Sequence, residues 1–262
     1  MSRLTTDSSG KPRHMSGWKR QPYDPRDFKY AAPSSAPAKT ALSLRTQMPA
    51  VRDQGPIGSC TSNAGVVATE FCITKQTGKK VPLLSRLDLY ATTRELEGTP
   101  LSEDSGAYVR DVFKAANKYG ICDEKLWPYV PAKFNRHPPR LITIQSLNKR
   151  PSSYRAVVGL AQIKACVAEG FPVIFGFDCF TSLMSTAVTK TGVIPFPKAN
   201  EAPIGGHCVT CIGYSDSKKA LEIQNSWGTG WGEKGFGWLP YDYVTKGLAS
   251  DFWTLRLTKL TV

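Results

Sequence analysis

The sequence predicts an α+β chain, rich in helix through its first half and in strands through its second. Three observations carry this expectation. Residues 61–76 set Ala64, Val67, Ala68, Phe71 and Cys72 on one helical stripe. Residues 104–118 repeat that spacing with Tyr108, Val112, Phe113 and Ala116. From about residue 159 the texture changes to short apolar runs separated by turns, the pattern of an antiparallel sheet or partial barrel. No internal repeat is visible.

Residues 1–40 are polar and proline-rich, without periodicity, and alone they read as a flexible tail. They nonetheless hold Trp18, Tyr23, Phe28 and Tyr30, rings suited to anchoring an extended strap, either across a groove or simply over the surface. The folded body is expected from near Leu42. Gly78 stops the helix of residues 61–76, and residues 85–98 give a short helix followed by a turn. The second helix ends at Gly120. Residues 126–140 are loop because proline recurs, and 143–147 suit a short strand. Residues 159–170 form a helix closed by Gly170, and FPVIFGF (171–177) is an apolar strand. Residues 191–197 are extended. The segments GGHCVTCIGY, ALEIQN, GFGWLP and FWTLRLTKL complete the strand-rich half.

Composition narrows the function. Hydrophobic residues make up 41% of the 262, ordinary for a globular chain of one large domain or two lobes. No apolar run is long enough to cross a bilayer, and no secretory signal is legible, so the compartment stays open. Thirty-four Lys and Arg against 21 Asp and Glu give a net charge of +13, which attracts anionic molecules. These charges are scattered and lie in no nucleic-acid-binding motif, so a solvated basic surface explains them best. Seven cysteines, an odd count, leave at least one thiol free in a monomer. Cys72, Cys166 and Cys179 sit in apolar stretches as core residues. Cys208 and Cys211, three apart on a strand, point to opposite faces and chelate poorly. Neither a metal nor a cofactor is expected.

Two distant segments carry chemistry. The first, QGPIGSC, ends at Cys60 where a helix begins, so unsatisfied backbone N–H groups and the positive end of the dipole favour its thiolate. A neighbouring imidazolium would favour it further. The second runs through GHCVTCIGY to IQNSWGTGWG. Of three histidines, His14 lies in the polar lead-in and His137 in a proline-rich loop, whereas His207 opens a stiff apolar strand. His207 is the expected general base towards Cys60 and general acid towards a leaving amine. Asn225 accepts from its far nitrogen and fixes the tautomer, and Trp227 shields that contact. Gln54 and the Cys60 amide supply oxyanion donors. The set suits acyl transfer through a thioester.

These residues resemble the papain family of cysteine proteases. The likeness rests on DQGPIGSC, YGI…WPY, GHCVTCIGY and IQNSWGTGWGEKGFGWL, and spans about residues 44–253. It implies a two-lobed fold, with a helical left lobe, an antiparallel β-barrel-like right lobe and the active-site cleft between them. Residues 1–40 would then be an N-terminal extension, a candidate inhibitory pro-segment or strap over the cleft, and 41–262 the catalytic domain. Its helical lobe would cover about 50–155 and its β-rich lobe about 156–262, with the start of the domain crossing between them. The resemblance implies a cysteine endopeptidase acting as a monomer on extended peptide or protein substrates. Trp231 would line the leaving-group side. Ser105 and Gly106 would offer a backbone edge to substrate. Tyr108, Val109, Val173, Phe175 and Gly206 would wall the second subsite, floored near Ser250 or Asp251, where an inward Asp251 would accept basic side chains. Thr61 replaces the usual Trp and Ile57 the usual Cys, and the long helical propeptide is missing. These departures resemble compact bacterial or viral members more than plant or lysosomal ones. Two alternatives share the scaffold: a peptide ligase or transpeptidase using the same residues, and an inactive peptide-binding protein.

Overall fold

The computed structural model describes residues 4–33, 39–139, 141–142 and 153–256. The expected strand at 143–147 lies outside them. The first helix, α1 (Cys60–Thr77), is buried without a break from Cys60 to Cys72, polar residues included. A helix covered on every side needs no polar face. One side of α1 meets a large sheet, and Gly65 on another meets α2 (Arg86–Leu96) and α3 (Val109–Tyr119). Gly78, at φ 68°, ends α1 in the left-handed conformation.

Close approach explains Gly65. A Cβ there would lie 2.4 Å from Val112 Cγ1 and 3.2 Å from Leu89 Cδ2. Val112 is β-branched and stiff, so the helices would have to separate. Gly65→Val is expected to destabilise the fold by roughly 2–3 kcal/mol, read as a lower denaturation midpoint at unchanged m. An unchanged midpoint would contradict this account of the helix contact.

The helix expected over 104–118 starts five residues later, at Val109. Gly106 adopts φ 71°, outside helical space, and the Glu97 carboxylate accepts the Tyr108 N–H at 2.7 Å. Residues 105–108 are thereby left out of the helix.

The second half builds an antiparallel sheet of β3 (Ala41–Ser43), β4 (Ser153–Ala156), β5 (Val173–Phe180), β6 (Pro203–Ser215), β7 (Ala220–Gln224), β8 (Phe236–Pro240) and β9 (Ala249–Arg256). Its order is β4-β9-β5-β6-β7-β8, with β3 added on β6. The sheet is open, which corrects the barrel-like expectation. Alternating strands cannot reveal closure, and here other segments cover the edges. Phe28 and Tyr30 exchange backbone hydrogen bonds with Ala156 on β4, while Gly192 and Ile194 do so with Trp238 on β8. Helices α4 (Gly159–Ala168), α5 (Thr186–Thr191) and α6 (Tyr241–Thr245) complete this half. The sequence reading missed α5, six residues capped by Ser185, whose side chain accepts the Val188 N–H.

The described part of the lead-in is an ordered strap rather than a flexible tail, although two of its four expected anchoring rings, Tyr23 and Phe28, are exposed. Strands β1 (Leu4–Thr6) and β2 (Pro12–His14) form a hairpin, and Met15, Trp18 and Tyr30 are buried. Among the described residues no helix is long and apolar enough to cross a membrane.

Candidate active site

Cys60 is the first residue of α1, delivered by a braced loop. Gly58 N–H donates to Asp104, and Tyr129 Oη donates to the Gln54 carbonyl at 2.7 Å. Because that bond uses its one hydrogen, Tyr129 accepts from Ser59 Oγ at 2.6 Å. Asn63 donates to the Ser59 carbonyl, and Arg86 spans Asn63 Oδ1 and the Asp53 carbonyl while lying 3.7 Å over the Tyr129 ring.

His207 sits on β6 opposite Phe177 of β5. Strand β7 ends at Gln224, so the chain leaves the sheet at Asn225 and reaches the imidazole. His207 Nε2 donates to Asn225 Oδ1 at 2.7 Å, and both residues are buried. This leaves Nδ1 unprotonated in the neutral ring, and Nδ1 makes no hydrogen bond. Trp227 lies against the ring at 4.7 Å between centroids, and Trp231 meets Trp227 edge-on at 5.8 Å.

Ser226 joins the halves of the site, and the sequence reading passed over it. Its N–H donates to Asn225 Oδ1 at 2.8 Å and its hydroxyl to Gln54 Oε1 at 2.6 Å, while its carbonyl accepts the Gln54 N–H. Gln54 Nε2 spends one hydrogen on the Ile57 carbonyl and keeps the other. Position inside the quoted NSWG run was the available signal.

A stretch of the lead-in crosses the site. A Cβ on Gly17 would lie 2.5 Å from Cys60 Sγ and 2.9 Å from the Gly58 carbonyl, so only glycine fits. Met15 O accepts the Gly206 N–H at 2.7 Å, Gly17 O accepts from Ala107, and Ala107 O accepts from Lys19. The bridges Ser16–Gly206 and Trp18–Ala107 are both parallel. Trp18 fills a slot whose walls lack side chains: a Cβ on Gly176 would stand 2.0 Å, and one on Gly206 2.5 Å, from its indole. Its Nε1 donates to Asp251 at 2.9 Å. Burying this ring contributes about 4–6 kcal/mol by area. Upstream, Arg13 pairs with Asp7 and Asp53 and lies 5.1 Å from the Trp227 ring.

The expected residues distribute unevenly around this stretch. Gly206 and Asp251 touch Trp18 directly. Gly106 passes beneath the Ser16 carbonyl, Ser105 bonds to the Gly106 carbonyl, and Ala107 carries the backbone pairing. Tyr108 lies beneath the Lys19 ammonium, and Val109 is buried. Val173 and Phe175 alternate with Gly176 along β5, so they face the other side of the sheet, away from Trp18. Ser250 is half-buried beside Asp251. His14, set aside as a residue of the lead-in, is buried against Asp104.

Electrostatics differ from the expected ion pair. Burial pushes the Cys60 thiol up to about 12, although backbone N–H groups of Cys208, Thr61 and Cys60 pull the other way. Burial lowers His207 to about 4, against the Asn225 contact and helped by Arg13. Under this cover, desolvation outweighs the helix terminus and the pair is neutral. All seven cysteines are unpaired.

A family model described as the papain family cysteine protease matches residues 36–252. The chain belongs to the papain family. An uncharacterized peptidase C1-like protein of Acanthamoeba polyphaga mimivirus is 40% identical over 214 residues, covering 78% of this chain and 68% of that protein. Cathepsin K of Gallus gallus is 28% identical over 208 residues, which span 58% of its own length. The crystal structure of xylellain, a cysteine protease from Xylella fastidiosa, superposes with a TM-score of 0.87 at 32% identity and covers 99% of both chains. Like its papain-family relatives, the protein is a cysteine endopeptidase that acts on peptide or protein substrates through a cysteine–histidine mechanism.

Proposed function

We propose that Cys60, His207, Asn225 and Gln54 carry the endopeptidase reaction and that the lead-in keeps it latent. In this reading His207 Nδ1 takes the Cys60 proton as Sγ attacks the scissile carbonyl. The oxyanion rests on the remaining Gln54 Nε2 hydrogen and the Cys60 N–H. His207 then protonates the departing amine, and water, deprotonated by the same nitrogen, hydrolyses the thioester. Asn225 holds the ring, and Trp227 keeps water from that contact. Trp231 stands on the leaving-group side. Ser105, Gly106, Tyr108, Gly206 and Asp251 belong to the binding cleft, while Val173 supports it from within the sheet. Residues 41–262 form the catalytic domain, a monomer whose basic surface draws acidic molecules.

The observation that carries latency is Gly17 seated on Cys60 Sγ. The direction of the strap supports it too. A productive substrate would run from the Trp18 slot towards Trp227, whereas the strap runs from Arg13 at Trp227 to Trp18. A reversed peptide does not offer its carbonyl to the oxyanion donors, so the cover resists cleavage.

The test is the rate at which a peptidyl epoxide labels Cys60, followed by peptide-mapped mass spectrometry. A chain beginning near residue 40 should react at least tenfold faster than the full chain at pH 7. The covered state favours neutral His207, so cover is firmest above the ordinary value near 6.5 and weakens as pH falls from 6.5 through about 4. Arg13 acts with burial here, and Asn225 alone opposes it. The difference between the two chains should therefore narrow at pH 5. Equal rates at pH 7 would remove the inhibitory role.

A further inference from the structure

Trp18 is not the only strap side chain lodged in the cleft. His14 is fully buried, and its Nε2 lies 3.3 Å from Asp104 Oδ2. Its Nδ1 accepts from the Ser16 N–H at 3.3 Å, so the Nε2 proton points at the carboxylate. Asp104 also accepts Gly58 N–H at 2.9 and 3.0 Å and the Tyr90 hydroxyl at 2.6 Å. Arg94 fixes the preceding residue by donating to the Glu103 carbonyl. The carboxylate is therefore held rigidly beside Gly58, two residues before the nucleophile, and its one strap partner is a donor on a ring.

Side chains of an extended peptide alternate between opposite sides. If the residue in the Trp18 slot faces Gly176, Gly206 and Asp251, the next residue towards Cys60 faces the opposite wall. That wall is Gly58 and Asp104. We propose that Asp104 is a specificity-determining residue that selects lysine or arginine at the substrate position whose carbonyl Cys60 attacks. The inference rests on the reading of Cys60 as nucleophile and of the strap as a reversed occupant. Gly58 supplies the space, because a Cβ there would stand 2.9 Å from the His14 ring. His14 is the strap's stand-in for the cation: it offers one N–H where a substrate would bring a full charge.

The experiment uses two acyloxymethyl ketone peptides that differ only in lysine or norleucine at the position attacked. Each is applied to the unmodified full chain, and the second-order rate of Cys60 labelling is measured. Both probes must displace the same strap, so its cost cancels in their ratio. The lysine probe is expected to react about tenfold faster, the value of a partly exposed charge-assisted contact. In Asp104→Asn, which keeps acceptors for Gly58 and Tyr90, the ratio should fall to about 1. A purely structural Asp104 would change both rates together and leave the ratio untouched, which would overturn the proposal. A ratio near 1 in the unmodified chain overturns it as well, even if the variant does not fold. Labelling by neither probe, in the full chain and in Gly17→Leu alike, would instead overturn the role of Cys60 and this proposal with it.

Discussion

Gly17→Leu in the full chain is expected to speed epoxide labelling of Cys60 by about 10- to 100-fold. The argument is steric and local. The new Cβ would meet Sγ at 2.5 Å and the Gly58 carbonyl carbon at 3.1 Å, one of them backbone and neither free to retreat. Such overpacking costs typically 1–3 kcal/mol, which at 1.4 kcal/mol per decade gives this range at its upper part. The body of the enzyme is untouched, so its denaturation midpoint should move little. Alanine at the same position should have a smaller effect of the same sign. A leucine variant that labels no faster than the parent would mean that the strap does not govern access to the thiol.

His207→Ala should abolish turnover by at least about 10³-fold in a chain whose strap has been opened. Without the imidazole, the thiol loses the base proposed to accept its proton. The leaving amine also loses its acid. Asn225→Ala should cost less, about 10- to 100-fold, because it disturbs only the tautomer and the ring orientation. Measuring kcat/KM with a peptide substrate at pH 7 checks both. Full activity in His207→Ala would require a different base: His14 departs with the strap that carries it, and His137 pairs with Glu95 on α2.

The residues proposed for catalysis could be nominated from the sequence because their chemistry is local to two short motifs. A cysteine at a helix start, a histidine opening a strand and an asparagine in NSWG are visible without coordinates. The helices were legible from apolar spacing, although the stripe of Ala64, Val67, Ala68 and Phe71 is only part of a run buried from Cys60 to Cys72. Sheet closure was not. It depends on what meets each edge strand, and here that is Tyr30 from the far end of the chain and Ile194 from a turn. The start of α3 was misplaced because a carboxylate eleven residues back, Glu97, holds the amide of Tyr108. Ser226 and Asp104 went unseen because their roles consist of contacts with residues 172 and 46 positions away. Val173 was placed in the cleft by resemblance, yet strand alternation gives that face to Gly176, whose missing side chain makes the slot. The neutral thiol and imidazole were unforeseeable from motifs, because their cause is burial, which depends on the packed tertiary structure.

The parallel run of Met15–Trp18 has a consequence for how the enzyme would sense its surroundings. It is pinned to the body at both ends, by Arg13 against Asp53 and the Trp227 carbonyl before it and by the Phe28–Tyr30 contacts with Ala156 after it. Ends held so near make the strap a competitor at a local concentration on the order of millimolar. On the proposed reading, a strap that lies backwards would not be consumed and would return after each departure. A dilute peptide would lose that competition, whereas one that fills both the Trp18 slot and the Asp104 wall would win it. The strap would thus act as a threshold, passing only substrates that bind well enough to displace it.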